Sequence, residues 1–194
     1  MKRSLLIFSL LYFVLLLCAC DSKESEQKAA SDTAEVPDTD MDQDEKTLLI
    51  PPGELSTLLP ESIPGAEKLP TNTGTHKFKG SSWSSASAEY AFKKGVVIIQ
   101  INDYGKMSNM PEDEQMLFVK LPEFDGANTE KVGYKGGVGY VSQAEDKSSG
   151  KLQLLFADRF TLNLDSYNLA EDNPGLLFYL KYIDVNKFEE LIEN

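Results

Sequence analysis

Cysteine and histidine are nearly missing from this chain. Its 194 residues hold two cysteines and one histidine, too little material for a four-ligand zinc site or a histidine-based catalytic centre. Basic residues are also scarce: 19 Lys and Arg stand against 31 Asp and Glu, a net charge of −12. Nucleic acid needs a basic face for its phosphates, so that partner is excluded. Long apolar runs are absent as well. The longest, Leu5 to Leu17, is 13 residues broken by Ser9, whereas a membrane-spanning helix needs about 20. No internal repeat is evident, no Gly-x-Ser-x-Gly elbow marks a serine nucleophile, and no βαβ alternation supports a nucleotide-binding parallel sheet.

What is present begins at the N-terminus. Lys2 and Arg3 precede the apolar run, whose length falls in the roughly 7–15 residues of a secretory core. It ends in Leu17-Cys18-Ala19-Cys20, which resembles the lipobox of bacterial lipoproteins. Leu17 matches the large aliphatic residue three before the cut, Ala19 the small residue just before it, and Cys20 the lipid acceptor. Cys18 departs mildly from the family pattern, and Leu17 is too large to precede a cut at Cys18. The resemblance implies cleavage between Ala19 and Cys20, a diacylglyceryl thioether on Cys20 and a mature chain of 175 residues with no free thiol. Disulfides, cysteine nucleophiles and thiolate metal sites would then all vanish. The alternatives are an uncleaved anchor and ordinary secretory cleavage. The resemblance places the protein in the bacterial cell envelope, held by lipid on the extracytoplasmic side. In enterobacterial lipoproteins an aspartate at the position of Asp21 favours the inner membrane over the outer.

The segment from Cys20 to Thr47 reads as a tether. From Asp21 onward it carries ten acidic residues against three lysines, a net of −7. Val36 and Met41 are its few large apolar residues, so it cannot bury enough surface to offset the entropy of ordering. Asp38, Asp40, Asp42 and Asp44 invite a calcium loop, but an EF-hand needs glycine sixth and glutamate twelfth. Those places hold Gln43 and Leu49 counted from Asp38, and Glu45 and Pro51 counted from Asp40.

Residues 48–194 are long enough for one self-sufficient core. Leu55, Leu58 and Leu59 predict a short one-sided helix, and residues 66–82, polar with Gly74 and Gly80, predict a loop. Alternation over 84–92 predicts a strand. The β-branched run Val96 to Ile101 predicts a central strand covered on both faces. Pro111 followed by three acids predicts a helix to about Lys120. Lys131 to Gln143, with four glycines, predicts one bulged strand. Leu152, Leu154 and Phe156 predict another, and Phe160, Leu162 and Leu164 a further one, divided by a turn at Asp158 or continuous through it. Pro174 begins one helix and Asp184 caps a last one, with Phe188, Leu191 and Ile192 inward. The expected fold is α+β: an antiparallel sheet of about five strands with helices packed on one side. The series Leu58-Leu59-Pro60, Pro64-Gly65, Ile101 to Gly105, Asp158-Arg159-Phe160 and Ile183-Asp184 resembles a module of uncharacterised bacterial envelope proteins. That resemblance implies the same fold class and no activity.

Candidate chemistry is sparse. His76 reads as an exposed loop residue. Asp103 and Asp158 follow apolar strands, where aspartate ordinarily serves turns; in a cleft, the pair would suit hydrolysis of an envelope polymer. Tyr134 and Tyr140 flank a glycine-rich stretch that could edge a small-ligand site. Trp83, Tyr90, Phe92, Tyr104 and Phe156 are core packing or the wall of a peptide or lipid groove. No cofactor or metal is expected. The leading expectation is a lipid-anchored, non-catalytic module that binds or helps assemble another envelope protein or peptide, with the acidic hydrolase as the alternative.

Overall fold

The computed structural model describes residues 48–120, 128–170 and 173–193. The expected lipobox, the expected cleavage between Ala19 and Cys20, and the expected acidic tether lie outside the described residues.

Eight strands form one antiparallel sheet: β1 (Ala66–Lys68), β2 (Asn72–Phe78), β3 (Ser81–Phe92), β4 (Val96–Asp103), β5 (Thr129–Tyr134), β6 (Gly137–Gln143), β7 (Gly150–Phe156) and β8 (Phe160–Tyr167). Their order is β1-β3-β4-β8-β7-β6-β5, with β2 also on β3. Four short helices accompany them among the described residues: α1 (Pro52–Leu55), α2 (Glu112–Val119), α3 (Leu176–Tyr179) and α4 (Asn186–Glu193). The arrangement is α+β, as expected, with more strands.

The extra strands have physical reasons. Residues 66–82 form β1, β2 and the start of β3, not a loop. Almost every side chain of β2 is exposed, so the strand is held by backbone pairing from Asn72↔Ser87 to Phe78↔Ser81 and leaves no alternation of hydrophobicity. The segment from Lys131 to Gln143 is a hairpin, not one bulged strand. Lys135 and Gly136 turn at φ 43° and 86°, the paired left-handed conformation of a two-residue hairpin turn. Asp158 lies in a turn, with Ala157 at φ 50° and Asp158 at φ 48°, so β7 and β8 are separate.

Strand alternation divides the sheet into two faces. On the first, Ala86, Ala88 and Tyr90 of β3, Val97, Ile99 and Ile101 of β4, Leu152 and Leu154 of β7, and Leu162 and Leu164 of β8 join one buried cluster with Leu55, Leu176 and Phe188 of the helices. The Phe188 ring stacks on Phe156 at 5.0 Å between centroids and tilts against Phe160 at 5.1 Å. Val185, just before α4, and Phe188 and Leu191 on it form the inward stripe; Ile192, expected inside, is 42% exposed.

Helix α2 packs on the second face, so the expectation of helices on one side is corrected. Its Phe118 joins Tyr140 of β6, Leu155 of β7 and Tyr104 in a separate cluster. Topology explains this: β4 lies mid-sheet and the next strand, β5, is at the far edge. The connection must cross a face to reach it, and α2 rides on that crossing.

Candidate functional site

The second face is polar where α2 overhangs it. In β4, β7 and β8 the positions between the apolar core residues are Gln100 and Asn102, Gln153, and Thr161 and Asn163. Register places Gln100, Asn163 and Gln153 in one row across adjacent strands, and Asn102 beside Thr161 in the next. An outward row normally carries lysine and glutamate in water. This one carries amides, and Asn102, Gln153, Thr161 and Asn163 are all buried.

Glu114, on the first turn of α2, organises them. Tyr104 donates its hydroxyl to Glu114 Oε2 at 2.6 Å. Gln153 donates Nε2–H to Glu114 Oε1 at 3.2 Å, and Thr161 its hydroxyl to the same oxygen at 3.4 Å. Behind these, Gln100 donates to Asn102 Oδ1 at 2.9 Å, and Asn102 to Thr161 Oγ1 at 3.0 Å. On the other side Tyr140 donates to Gln153 Oε1 at 2.7 Å. Three of these donors, from Tyr104, Gln153 and Thr161, meet on the Glu114 carboxylate, and the other three lead to it through Asn102, Thr161 and Gln153. Burial pushes the Tyr104 phenol upward, and the hydrogen bond and charge of Glu114 add to the shift. Burial, then the charges of Glu114 and Asp165, push Tyr140 upward. Both phenols therefore remain donors at neutral pH.

The groove between α2 and the sheet has a volume of about 510 Å3 and is lined by Gln100, Asn102, Tyr104, Glu114 and Gln153 of this network, together with Trp83, Asp113, Leu117, Lys151 and Asn163. That volume suits a small organic ligand rather than a single water. Its aromatic wall is a cross-strand ladder. His76 of β2 stacks on Trp83 of β3 at 5.1 Å, and Trp83 tilts against Tyr104 at 5.8 Å. Asn163 stands outside the network: its Oδ1 is buried and has no hydrogen-bond partner among the described residues. A buried acceptor left unpaired costs about 1–3 kcal/mol.

The candidates read from the sequence are distributed differently. Asp103 is fully buried on the first face and bound to Arg159, whose Nε and Nη2 donate to it at 2.6 and 2.9 Å. The Ile50 amide donates to the same carboxylate at 2.6 Å and the Gly105 amide at 2.8 Å. Asp158 is exposed on the β7–β8 turn, so the two aspartates do not converge in a cleft. Tyr134 and Tyr140 are separated by the sheet: Tyr134 packs with the first-face core, Tyr140 with the second. His76 lies in a strand rather than a loop, its Nε2 at 2.7 Å from Ser85 Oγ. Among the suspected aromatics, Trp83 and Tyr104 wall the groove. Tyr90 and Phe156 are buried in the first-face core, and Phe92 packs against it.

Sequence reasoning missed Glu114, Gln100, Asn102, Gln153 and Asn163. The signal available was the chemistry of the interleaved positions, where amides and hydroxyls replace charges. Among the described residues no group of three or more His, Cys, Asp and Glu side chains could hold a metal ion. Compared with known family models, curated proteins and solved structures, the chain matches none.

Asp165 lies on the same face, one row beyond Asn163, opposite Lys151. Desolvation raises its pKa, with Lys151 acting against the shift. A raised pKa means that the folded state binds this proton more tightly than the unfolded chain. Ionisation therefore opposes folding at neutral pH, and the opposition fades as pH falls through the folded pKa. Asp165→Asn is expected to melt higher than the parent near neutrality, with the gain closing in acid. Melting curves of both chains across that range check it.

Proposed function

We propose that this chain is a lipid-anchored, non-catalytic protein of the bacterial envelope whose α+β module holds another envelope component in the groove under α2. Anchoring rests on Leu17-Cys18-Ala19-Cys20 behind a charged start and a 13-residue apolar run. Two or more acyl chains suffice for stable attachment. Binding rests on Asn163, whose Oδ1 is buried beside the groove without a partner. A donor on a ligand seated there would offset the cost of that unpaired acceptor. The non-catalytic reading is supported by Glu114, whose two oxygens are already engaged by Tyr104, Gln153 and Thr161.

Two experiments test the two halves. Radiolabelled palmitate is expected in the wild-type chain and not in Cys20→Ala; label persisting in the variant overturns the anchor. A photo-crosslinking residue at Lys151, on the groove rim, is expected to capture an envelope component in cells. The same residue at Lys94, on the exposed β3–β4 turn, is expected to capture none. Equal capture at both positions, or none at Lys151, overturns the groove as the binding site.

A further inference from the structure

We infer that the ligand of this groove is an uncharged saccharide. This deepens the groove-binding reading above and depends on it. The lining decides by elimination. An anion would face the carboxylates of Asp113 and Glu114 with only Lys151 to attract it. A metal cation would find no cluster of three ligating His, Cys, Asp or Glu side chains among the described residues. A hydrocarbon chain would leave Asn163 Oδ1 without a donor and would cover the polar side chains of Gln100 and Asn102 that line the groove, a cost apolar contact offsets poorly. An extended peptide pairs with a sheet edge, whereas this groove lies on the sheet's face and is overhung by a helix.

A sugar ring meets each requirement. Every hydroxyl both donates and accepts, and so does every carboxamide. Asn163 Oδ1 awaits a donor. Trp83, which lines the same groove, carries an indole N–H able to donate to a sugar oxygen. The ladder formed by Trp83 and Tyr104 gives the apolar side of the ring a surface to pack on. The cavity of about 510 Å3 accommodates a short oligosaccharide segment.

Trp83 is the chain's one tryptophan, so its emission reports this groove alone. The experiment titrates the full chain, in detergent, with the N-acetylglucosamine trisaccharide, cellotriose and maltotriose, and with an Ala/Glu/Lys tetrapeptide. At least one trisaccharide is expected to shift the emission saturably, with a Kd on the order of 0.1–1 mM. Asn163→Leu is expected to weaken that binding by about tenfold or more while its melting temperature stays level or rises, because the substitution also removes an unpaired buried acceptor. A residue with only a structural role would show the opposite pattern. Gln100→Leu is expected to weaken binding in the same way. If the tetrapeptide alone shifts the emission, the saccharide assignment is overturned and groove binding stands. If no probe shifts it while Lys151 still captures a component in cells, the saccharide assignment is again overturned on its own. If both fail, both readings fall.

Discussion

Asp103→Ala is expected to destabilise the module by about 3–5 kcal/mol, the range for removing one partner of a buried ion pair. The reason is visible in the partners the carboxylate serves. Its side chain is fully buried, and that of Arg159 is 13% exposed, so the guanidinium left behind is poorly placed to recover its charge solvation. The amides of Ile50 and Gly105 lose their acceptor as well. Ile50 matters beyond its own bond. Arg159 Nη2 also donates to the Leu48 carbonyl at 2.9 Å, and Ser84 donates its hydroxyl to the Ile50 carbonyl at 2.6 Å. Asp103, Arg159 and Ser84 thus clamp the first described residues of the chain, which follow directly on the proposed tether, against the ends of β3, β4 and β8. A domain with about 5–15 kcal/mol of total stability loses a large part of it with this clamp. Urea denaturation checks the prediction: the midpoint should fall with little change in slope. Asp103→Asn, which keeps one acceptor and the shape, should lose clearly less. Equal loss in both variants would show that shape rather than charge holds the clamp.

Gly139→Ala is expected to cost at least about 3 kcal/mol, the upper end of over-packing penalties. Gly139 sits in β6 opposite Val132 and Leu154. A Cβ built there falls onto the carbonyl of Gln153 in the neighbouring strand. The obstacle is backbone, which cannot rotate aside as a side chain would, so β6 and β7 must separate locally. That separation also moves Gln153, and with it the donors of Gln153 and Tyr140 that lead to Glu114. Gly133→Ala on the adjacent strand is the control. The nearest atom to its added Cβ lies at 3.8 Å, an ordinary contact, and the change should stay within about 0.5 kcal/mol. Thermal melts of the two variants side by side decide the matter. A Gly139→Ala chain as stable as Gly133→Ala would mean that β6 and β7 are not packed as closely as described.

How much was legible in the sequence follows from where each signal lies. Leu152, Leu154 and Phe156, then Phe160, Leu162 and Leu164, alternate because one side of their strands meets the core, and that pattern is local. Pro111 with Glu112, Asp113 and Glu114 marks a helix start through backbone chemistry alone, and α2 begins there. Strand β2 was not legible. Its partner is the backbone of β3, and pairing by peptide groups is indifferent to side-chain type. The Lys135-Gly136 turn was half legible: glycine marked a special backbone position but did not distinguish a bulge from a hairpin. Ile192 in place of Val185 was an error of phase, since an eight-residue helix offers too few turns to settle its buried stripe.

The candidate site divides in the same way. Trp83, Tyr104 and Tyr140 drew attention as aromatics, and all three lie on the second face. Asp103 drew attention as a strand-end acid and proved to be a clamp. Glu114 was read as a residue favourable to a helix N-terminus, and its second role came from what lies beneath that turn.

By itself, the sequence determined the class of the module, the leading strands and the start of α2, because each of these depends on neighbours along the chain; the short motif at Cys20 supplies the proposal of a lipid. Only the tertiary structure decided that α2 crosses the second face, and therefore that amides from β4, β7 and β8 share one carboxylate. Those residues lie far apart in sequence, from Gln100 to Asn163. The β4–β8 pairing at mid-sheet and the crossing to β5 bring them together, and no local pattern encodes a contact made by the route the chain takes.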